Sequence, residues 1–490
     1  MPMPRVSQIE PLVKLCVYCI KKAVISSKLA TCPLALKNWD GRAPTLFHQL
    51  PIALLEEIIL SLTFTNENLL DSRILDHIIT PQVQHLSFSI YYYDAYCLSS
   101  FPKFGNLLIL DLDKSGVGDD CLKSIGIYCS KLRSLNLNHC REVTDIGIQW
   151  LCGIDDSGIG NDKSEFCKSI QKLSILYTAV TQHGIQVVLT NLLSLKILEN
   201  FNIVDALADL ARRSGTDSNH MFSISTLYTS YDKPYYRSDS LRLALSLCHS
   251  ISRVLIHVTK GLKDSDLLCL MSLKKLRKFE IFKSRFWMPN GTEITFDGGV
   301  APLLKVFGKS LETLVLKGLD LVRISTIIDF CPNLIVLHIS DVTGYLENER
   351  NLFQVEKNPP VFQKLKLLIC VSTGILKMPV DVLLFLLSSP KLEHVTLFSV
   401  YAFSDEVLME TVKCHQLKNL RQLDLSQCNS LTKHGIKKFL RKTCSPLEMI
   451  SFYCCKNIGL ESYSDLLSLI AKKNWNLKIS RDFYVFYRPK

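Results

Sequence analysis

The chain has 490 residues, 47% hydrophobic against 21% charged, which excludes a largely disordered protein and is too long for one compact core. Its net charge of +11 comes from 57 basic and 46 acidic side chains. The excess sits in short clusters such as LKKLRK (273–278) and KKFLRK (437–442), which read as solvated helix or turn faces, so no nucleic-acid partner is expected.

In chain order, the first predicted element is PLVKLCVYCIKKAV (11–24). Pro11 suits a first helical turn, where its missing N–H costs little. Leu12, Cys16 and Ile20 recur at i, i+4 and i+8 and form one apolar stripe, flanked by Leu15 and Cys19. The apolar run is short, ends in Lys21-Lys22 and has no small-residue cleavage site, so it does not read as a secretory signal. The connector TCPLALKNWDGRAPT (31–45) contains at least one turn. A second helix follows in FHQLPIALLEEIILSL (47–62), opened by Pro51, with Leu54 and Ile58 continuing its stripe and Leu55, Ile59 and Leu62 widening it.

From there the sequence repeats itself. The unit is an apolar residue, two variable ones, an apolar one, one variable, then another apolar one. Clear copies are LLILDL (107–112), LRSLNL (132–137), IQKLSI (170–175), LETLVL (311–316), LIVLHI (334–339), LEHVTL (392–397), LRQLDL (420–425) and LEMISF (447–452). Weaker copies are VQHLSF (83–88), LLSLKI (192–197), ISRVLI (251–256), LRKFEI (276–281) and LKLLIC (365–370). This pattern predicts an α/β fold, a leucine-rich repeat solenoid. Each short strand points its leucines into the core and its intervening residues onto a concave face, and a helix closes the convex side. The repeats should fill 66–480, behind a helical module at 1–65 and ahead of a cap or tail at 481–490. VDVLLFLL (380–387), the longest apolar stretch, is too short to span a bilayer, and no membrane partner is expected. Polar insertions interrupt the array at 153–168, 212–220, 286–299 and 343–361 and read as loops, either binding elements or disordered.

Two copies carry a shared extension. LRSLNLNHCREVTDIGIQWL (132–151) and LRQLDLSQCNSLTKHGIKKFL (420–440) each place a cysteine three residues after the strand, then an apolar-Thr pair, then Gly-Ile. Cys140 and Cys428 read as packing residues, and Thr144 and Thr432 as helix caps. The chain has 18 cysteines and no evident signal, which suggests reduced thiols in the cytosol or nucleus. Cys16 and Cys19 lack a second pair at metal-ligand spacing, and Cys454-Cys455 has no histidine nearby, so neither a metal nor a cofactor is expected. GIDDSGIGND (153–162) lacks the lysine of a phosphate-binding loop, and the histidines are scattered, so no enzyme activity is expected.

The extended copies resemble the cysteine-containing leucine-rich repeats of ubiquitin-ligase substrate receptors. The opening helix resembles the elongin-binding box of von Hippel-Lindau-box proteins: Pro11, Leu12, Cys16 and Ile20 fill its pattern. The second resembles the cullin-2 box that follows it, through Leu50, Pro51, Leu54 and Ile58, and Ala53 departs from the Leu-Pro-x-Pro of a cullin-5 box. The resemblance extends to the Zyg-type receptors of that ligase class, although repeats run to the end where those relatives carry an armadillo-type domain. It implies a non-catalytic substrate-recognition subunit whose eight box residues dock elongin B/C and cullin-2 while the repeats hold a protein for ubiquitination. LPIALLEEIILSL also resembles the start of an F-box, which would bind Skp and cullin-1, and a plain interaction scaffold is a third reading. Outward strand positions that could line a substrate face are Asp111, Asp113, Asn136, Asn138, Lys317, His338, Ser340, Phe398, Asp424, Ser426 and Tyr453, with Phe398 and Tyr453 as anchors.

Overall fold

The computed structural model describes residues 14, 17–19, 50–63, 80–87, 101–154, 168–214, 221–229, 235–284, 293–342, 344–345, 362–372, 378–415, 417–443 and 445–481. Its contacts divide the chain into two compact units, one built on Ile9–Ser230 with Leu243–Ser250, the other on Tyr231–Arg242 with Ile251–Lys490. That division falls within residues 66–480, the span of the repeats.

The first unit opens with helix α1 (Ile52–Thr63) and strand β1 (His85–Ser87). There follow β2 (Ile109–Asp111), α2 (Asp119–Tyr128), β3 (Ser134–Asn136), α3 (Asp145–Leu151), β4 (Lys172–Ser174), α4 (Gln182–Asn191), β5 (Ile197–Glu199), α5 (Ile203–Ser214) and β6 (Thr226–Tyr228). Strands β1 to β5 form one parallel sheet in sequence order. Helix α6 (Ser240–Ser246) straddles the division.

The second unit continues with β7 (Arg253–Val258), α7 (Asp264–Leu267), β8 (Lys278–Lys283), α8 (Ala301–Phe307), β9 (Thr313–Lys317), β10 (Leu321–Val322), α9 (Ile324–Phe330), β11 (Val336–Ser340) and β12 (Gly344–Tyr345). It ends with β13 (Leu367–Val371), α10 (Val380–Leu387), β14 (His394–Phe398), α11 (Asp405–His415), β15 (Gln422–Ser426), α12 (Lys433–Lys442), β16 (Met449–Tyr453), α13 (Leu460–Lys472) and β17 (Lys478–Ser480). Its parallel sheet runs β7-β8-β9-β11-β13-β14-β15-β16-β17, and β10 and β12 pair separately.

The register explains the spacing of the leucines. Leu110, Leu135, Leu173 and Leu198 are cross-strand partners and buried. So are Phe279, Leu314, Leu337, Leu368, Val395, Leu423 and Ile450. Each such side chain stabilises the stack by roughly 1.5–3 kcal/mol, but only when a neighbouring repeat covers it. The fold is therefore the expected leucine-rich repeat solenoid.

A polar chain links consecutive helices on the other side. The Asp119 carboxylate accepts the Thr144 backbone N–H at 2.7 Å and its hydroxyl at 2.6 Å. The Thr144 hydroxyl in turn caps α3 by accepting the Ile146 N–H. Asp145 treats Thr181 the same way, Asp264 treats Thr295, and Asp405 treats Thr432. Three residues beyond each threonine stands a glycine, Gly147, Gly184, Gly298 or Gly435, against that aspartate. A side chain there would collide with the carboxylate, which is why the sequence reads Thr-x-x-Gly at all four helix starts.

The cysteines behave as packing residues. Cys140 and Cys428 are wholly buried, and their thiols face the Leu112 carbonyl at 3.1 Å and the Leu397 carbonyl at 3.5 Å. Burial pushes the Cys428 thiol up to about 12. Cys455 repeats the arrangement against the Leu425 carbonyl.

The structure revises several expectations. The repeat placed at 192–197 is shifted: its strand is Ile197–Glu199, with Leu195 and Leu198 as the inward residues. Two repeats escaped notice, at β6, where a buried Thr229 replaces the last apolar residue, and at β17, behind Leu477. The end of the 286–299 insertion is not a loop: Phe296–Val300 forms a π-helical turn capped by Thr295. The connector 31–45, most of the other insertions and residues 482–490 lie outside the described residues. Among the described residues no helix is long and apolar enough to cross a membrane.

Candidate docking site

Two surfaces correspond to the residues singled out from sequence. The first begins at the opening helix. Lys14 and Val17–Cys19 are helical, Val17 is buried, and Tyr18 and Cys19 are exposed. Pro11, Leu12, Cys16 and Ile20 lie outside the described residues.

The second helix, α1, is fully described up to Leu60 and has two faces. Its amino end is fixed by Pro51, whose carbonyl accepts the Leu54 and Leu55 N–H groups. Leu55, Ile58 and Ile59 are buried. Between them Glu56 accepts the backbone N–H groups of Gln84 and His85 at 2.8 and 2.9 Å, and pairs with the His85 imidazole at 2.7 Å. These donors sit beside β1, the edge strand, so the carboxylate closes an edge that would otherwise be open. Burial opposes ionisation of Glu56, but the His85 side chain and the two backbone donors outweigh it and hold the carboxyl below its usual range.

Of the four box positions on this segment, Ile58 is therefore a packing residue, with no exposed surface to offer a partner. Leu50 and Leu54 are half-buried and Pro51 is exposed. The outward face is completed by Ala53, Glu57 and Leu60, the last 45% exposed. Leu60 was missed from sequence because it lies two residues past Ile58, on the opposite side of the helix from the box stripe.

The other predicted residues lie on the outward side of each unit's sheet. In the first unit it is a hydrogen-bonded ladder. Asp111 accepts the Asn136 amide at 2.8 Å, Asn138 accepts the Leu176 N–H at 2.8 Å, and buried Asp113 pairs with the exposed His139 at 3.0 Å. These four predicted contact residues hold neighbouring repeats in register, and Asp113 has little surface to offer.

In the second unit the structure brings Lys317, Ser340, Phe398, Ser426 and Tyr453 into one row across adjacent strands, interrupted by Val371. His338 and Asp424 share the next row with Ile369 and Thr396. Ser340 and Ser426 are buried, which removes them as contact residues: neighbouring side chains at the sheet spacing overshadow a short hydroxyl. Lys317 and Tyr453 are exposed, while Phe398, His338 and Asp424 are half-buried. Burial pushes the Asp424 carboxyl up, against the donors Ser451 and Gln422. Burial, reinforced by Lys317, pushes the His338 imidazole down to about 4, and its Nε2 has no hydrogen-bond partner among the described residues. The mixed polar face expected from sequence is instead apolar at its centre, where Val336, Leu367, Val371 and Phe398 are half-buried. Among the described residues no three metal-ligating side chains gather.

No family model matches the sequence, and no curated protein matches it. The fold is similar to that of a chain in the crystal structure of the Rad7 and Elc1 complex of yeast. The two are 14% identical over 93% of this chain and 96% of that one, with a TM-score of 0.52. A leucine-rich-repeat protein of Leptospira interrogans aligns over 76% of this chain and 86% of that one, 16% identical, with a TM-score of 0.35.

Proposed function

We propose that the chain is a non-catalytic substrate receptor of a cullin-type ubiquitin ligase, acting in the cytosol or nucleus. Its two leading helices dock elongin B/C and cullin-2, and its repeats hold the protein to be modified. The carrying observation is the ordered pair of box patterns ahead of the repeats, the second on a helix that seals the sheet edge with one face and presents Pro51, Leu54 and Leu60 on the other. In the opening box, Leu12, Cys16 and Ile20 supply small and medium apolar anchors at helical spacing, which suits an apolar groove on a partner. Likeness of fold to a chain crystallised in the Rad7 and Elc1 complex supports the same reading.

Co-expression with elongin B/C and cullin-2, and separately with Skp and cullin-1, followed by gel filtration, tests it. The wild-type chain should co-migrate with elongin B/C. Leu12→Ala with Cys16→Phe should abolish that complex without altering thermal melting. Co-migration with Skp alone would establish the F-box reading, and no complex with either adaptor would leave a scaffold.

A further inference from the structure

The second unit carries its charge unevenly along the repeats. Each helix returns to the next strand through a turn at the strand's amino end, and cations collect at that end. Lys274 and Lys275 precede β8, Lys309 precedes β9, Lys364 precedes β13, Lys391 precedes β14 and Lys418 precedes β15. Arg441 and Lys442 close α12 ahead of β16, and Lys472 and Lys473 follow ahead of β17. Every one is exposed, and none has an ion-pair partner among the described residues. Of the acidic side chains near this edge, Glu312, Glu393 and Glu448 are matched by Arg277, Lys366 and Arg421, while the exposed Asp329 ends α9 ahead of β11, the one turn of the row that carries no cation.

Cations at helix carboxyl ends answer the helix dipole, which accounts for those on α12 and α13. Lys364, Lys391 and Lys418 stand in turns in three successive repeats, outside any described helix, and no described carboxylate pairs with them. Because β8 to β17 are stacked in order at roughly 4.8 Å per strand, the row is about 30–35 Å long. Like charges at that density repel one another, a standing cost that an anionic partner would remove.

We propose that this edge of the second unit binds an acidic, extended segment of a partner protein. About ten residues at roughly 3.3 Å each would span the row. The inference rests on reading the repeats as a protein receptor and adds the class of protein they select. A single-stranded nucleic acid fits less well, because the unit's exposed aromatic residues among those described, Tyr235 beside Lys260, Tyr401 and Tyr453, lie at or beyond the carboxyl ends of the strands, away from the cations, which leaves no stacking platform beside them.

The test is fluorescence anisotropy on the full chain with a labelled polyglutamate of about twelve residues, a polylysine of equal length, a single-stranded oligonucleotide of about 12 nucleotides, a duplex of about 20 base pairs and anionic phosphatidylserine vesicles. Polyglutamate should bind and weaken at least tenfold between about 50 and about 200 mM salt. Lys364→Glu, Lys391→Glu and Lys418→Glu together should weaken polyglutamate at least tenfold and give polylysine new affinity. All three are exposed, so melting should be unchanged. Polyglutamate binding unaffected by the triple change, preference for the single strand, the duplex or the vesicles, or no binding by any probe would overturn the proposal. The triple variant should still co-migrate with elongin B/C, so loss of acidic-peptide binding and loss of the adaptor complex are read separately.

Discussion

Replacing Gly435 with alanine should change sign with the residue facing it. In the native chain an added Cβ would lie 2.0 Å from Asp405 Oδ1 and 2.2 Å from its Cγ. The carboxylate must then swing away and release the Thr432 N–H and hydroxyl it holds at 2.8 and 2.6 Å. Hydrogen bonds to a charged acceptor contribute about 1.5–3 kcal/mol, while glycine to alanine within a helix gains about 1 kcal/mol. Gly435→Ala alone should therefore destabilise by about 0.5–2 kcal/mol. Asp405→Ala alone should cost about 1.5–3 kcal/mol by the same loss. In the double variant the crowding atoms are gone, since all three nearest belong to the Asp405 carboxyl group. Gly435→Ala should there stabilise by about 0.5–1 kcal/mol. Urea unfolding followed by circular dichroism on the four proteins gives the coupling energy. Equal costs of Gly435→Ala in both backgrounds would refute the idea that this glycine exists to admit the aspartate.

Three further outcomes are expected. Gly318 has φ +76° and a Cβ there would sit 1.9 Å from the Lys283 carbonyl oxygen, so Gly318→Ala should destabilise by more than about 2 kcal/mol in the same assay. His338 titrates at about 4 when folded and near 6.5 when unfolded. The unfolded chain alone takes up the proton between those values, so stability from this group is complete above about pH 6.5 and is lost as pH falls toward 4, about 2–3 kcal/mol by pH 4.5. His338→Leu should flatten that part of the pH profile, and an unchanged slope would contradict the burial assigned to it. Iodoacetamide at neutral pH should label the exposed Cys19 and Cys454 well before the buried Cys331, Cys370 and Cys428, whose thiols are pushed up to about 12; mass spectrometry showing uniform labelling would contradict their burial.

The repeat fold was legible because its signal is written locally and many times over. Leu132, Leu135 and Leu137 occupy the spacing of Leu420, Leu423 and Leu425, and a period-2 strand leaves those residues one face to occupy. Cys140 and Cys428 could be read as packing residues for the same reason, and Thr144 and Thr432 as caps, since a cap needs only its own helix start. What escaped were features set by a neighbouring repeat. The match of Asp405 to Thr432 and Gly435 joins residues 27 and 30 positions apart. Thr229 could stand in for a leucine only because its repeat buries it. Ile58 fitted a docking pattern, yet the stripe that would serve a partner is the stripe that packs α1 inward, and periodicity cannot tell the two apart. Sequence thus determined which residues leave water, because that choice is made within each repeat. Which polar residues remain for a partner, and which are consumed holding one repeat to the next, was decided only when the repeats stacked, because a hydrogen bond across a strand pair has no signature in either strand alone.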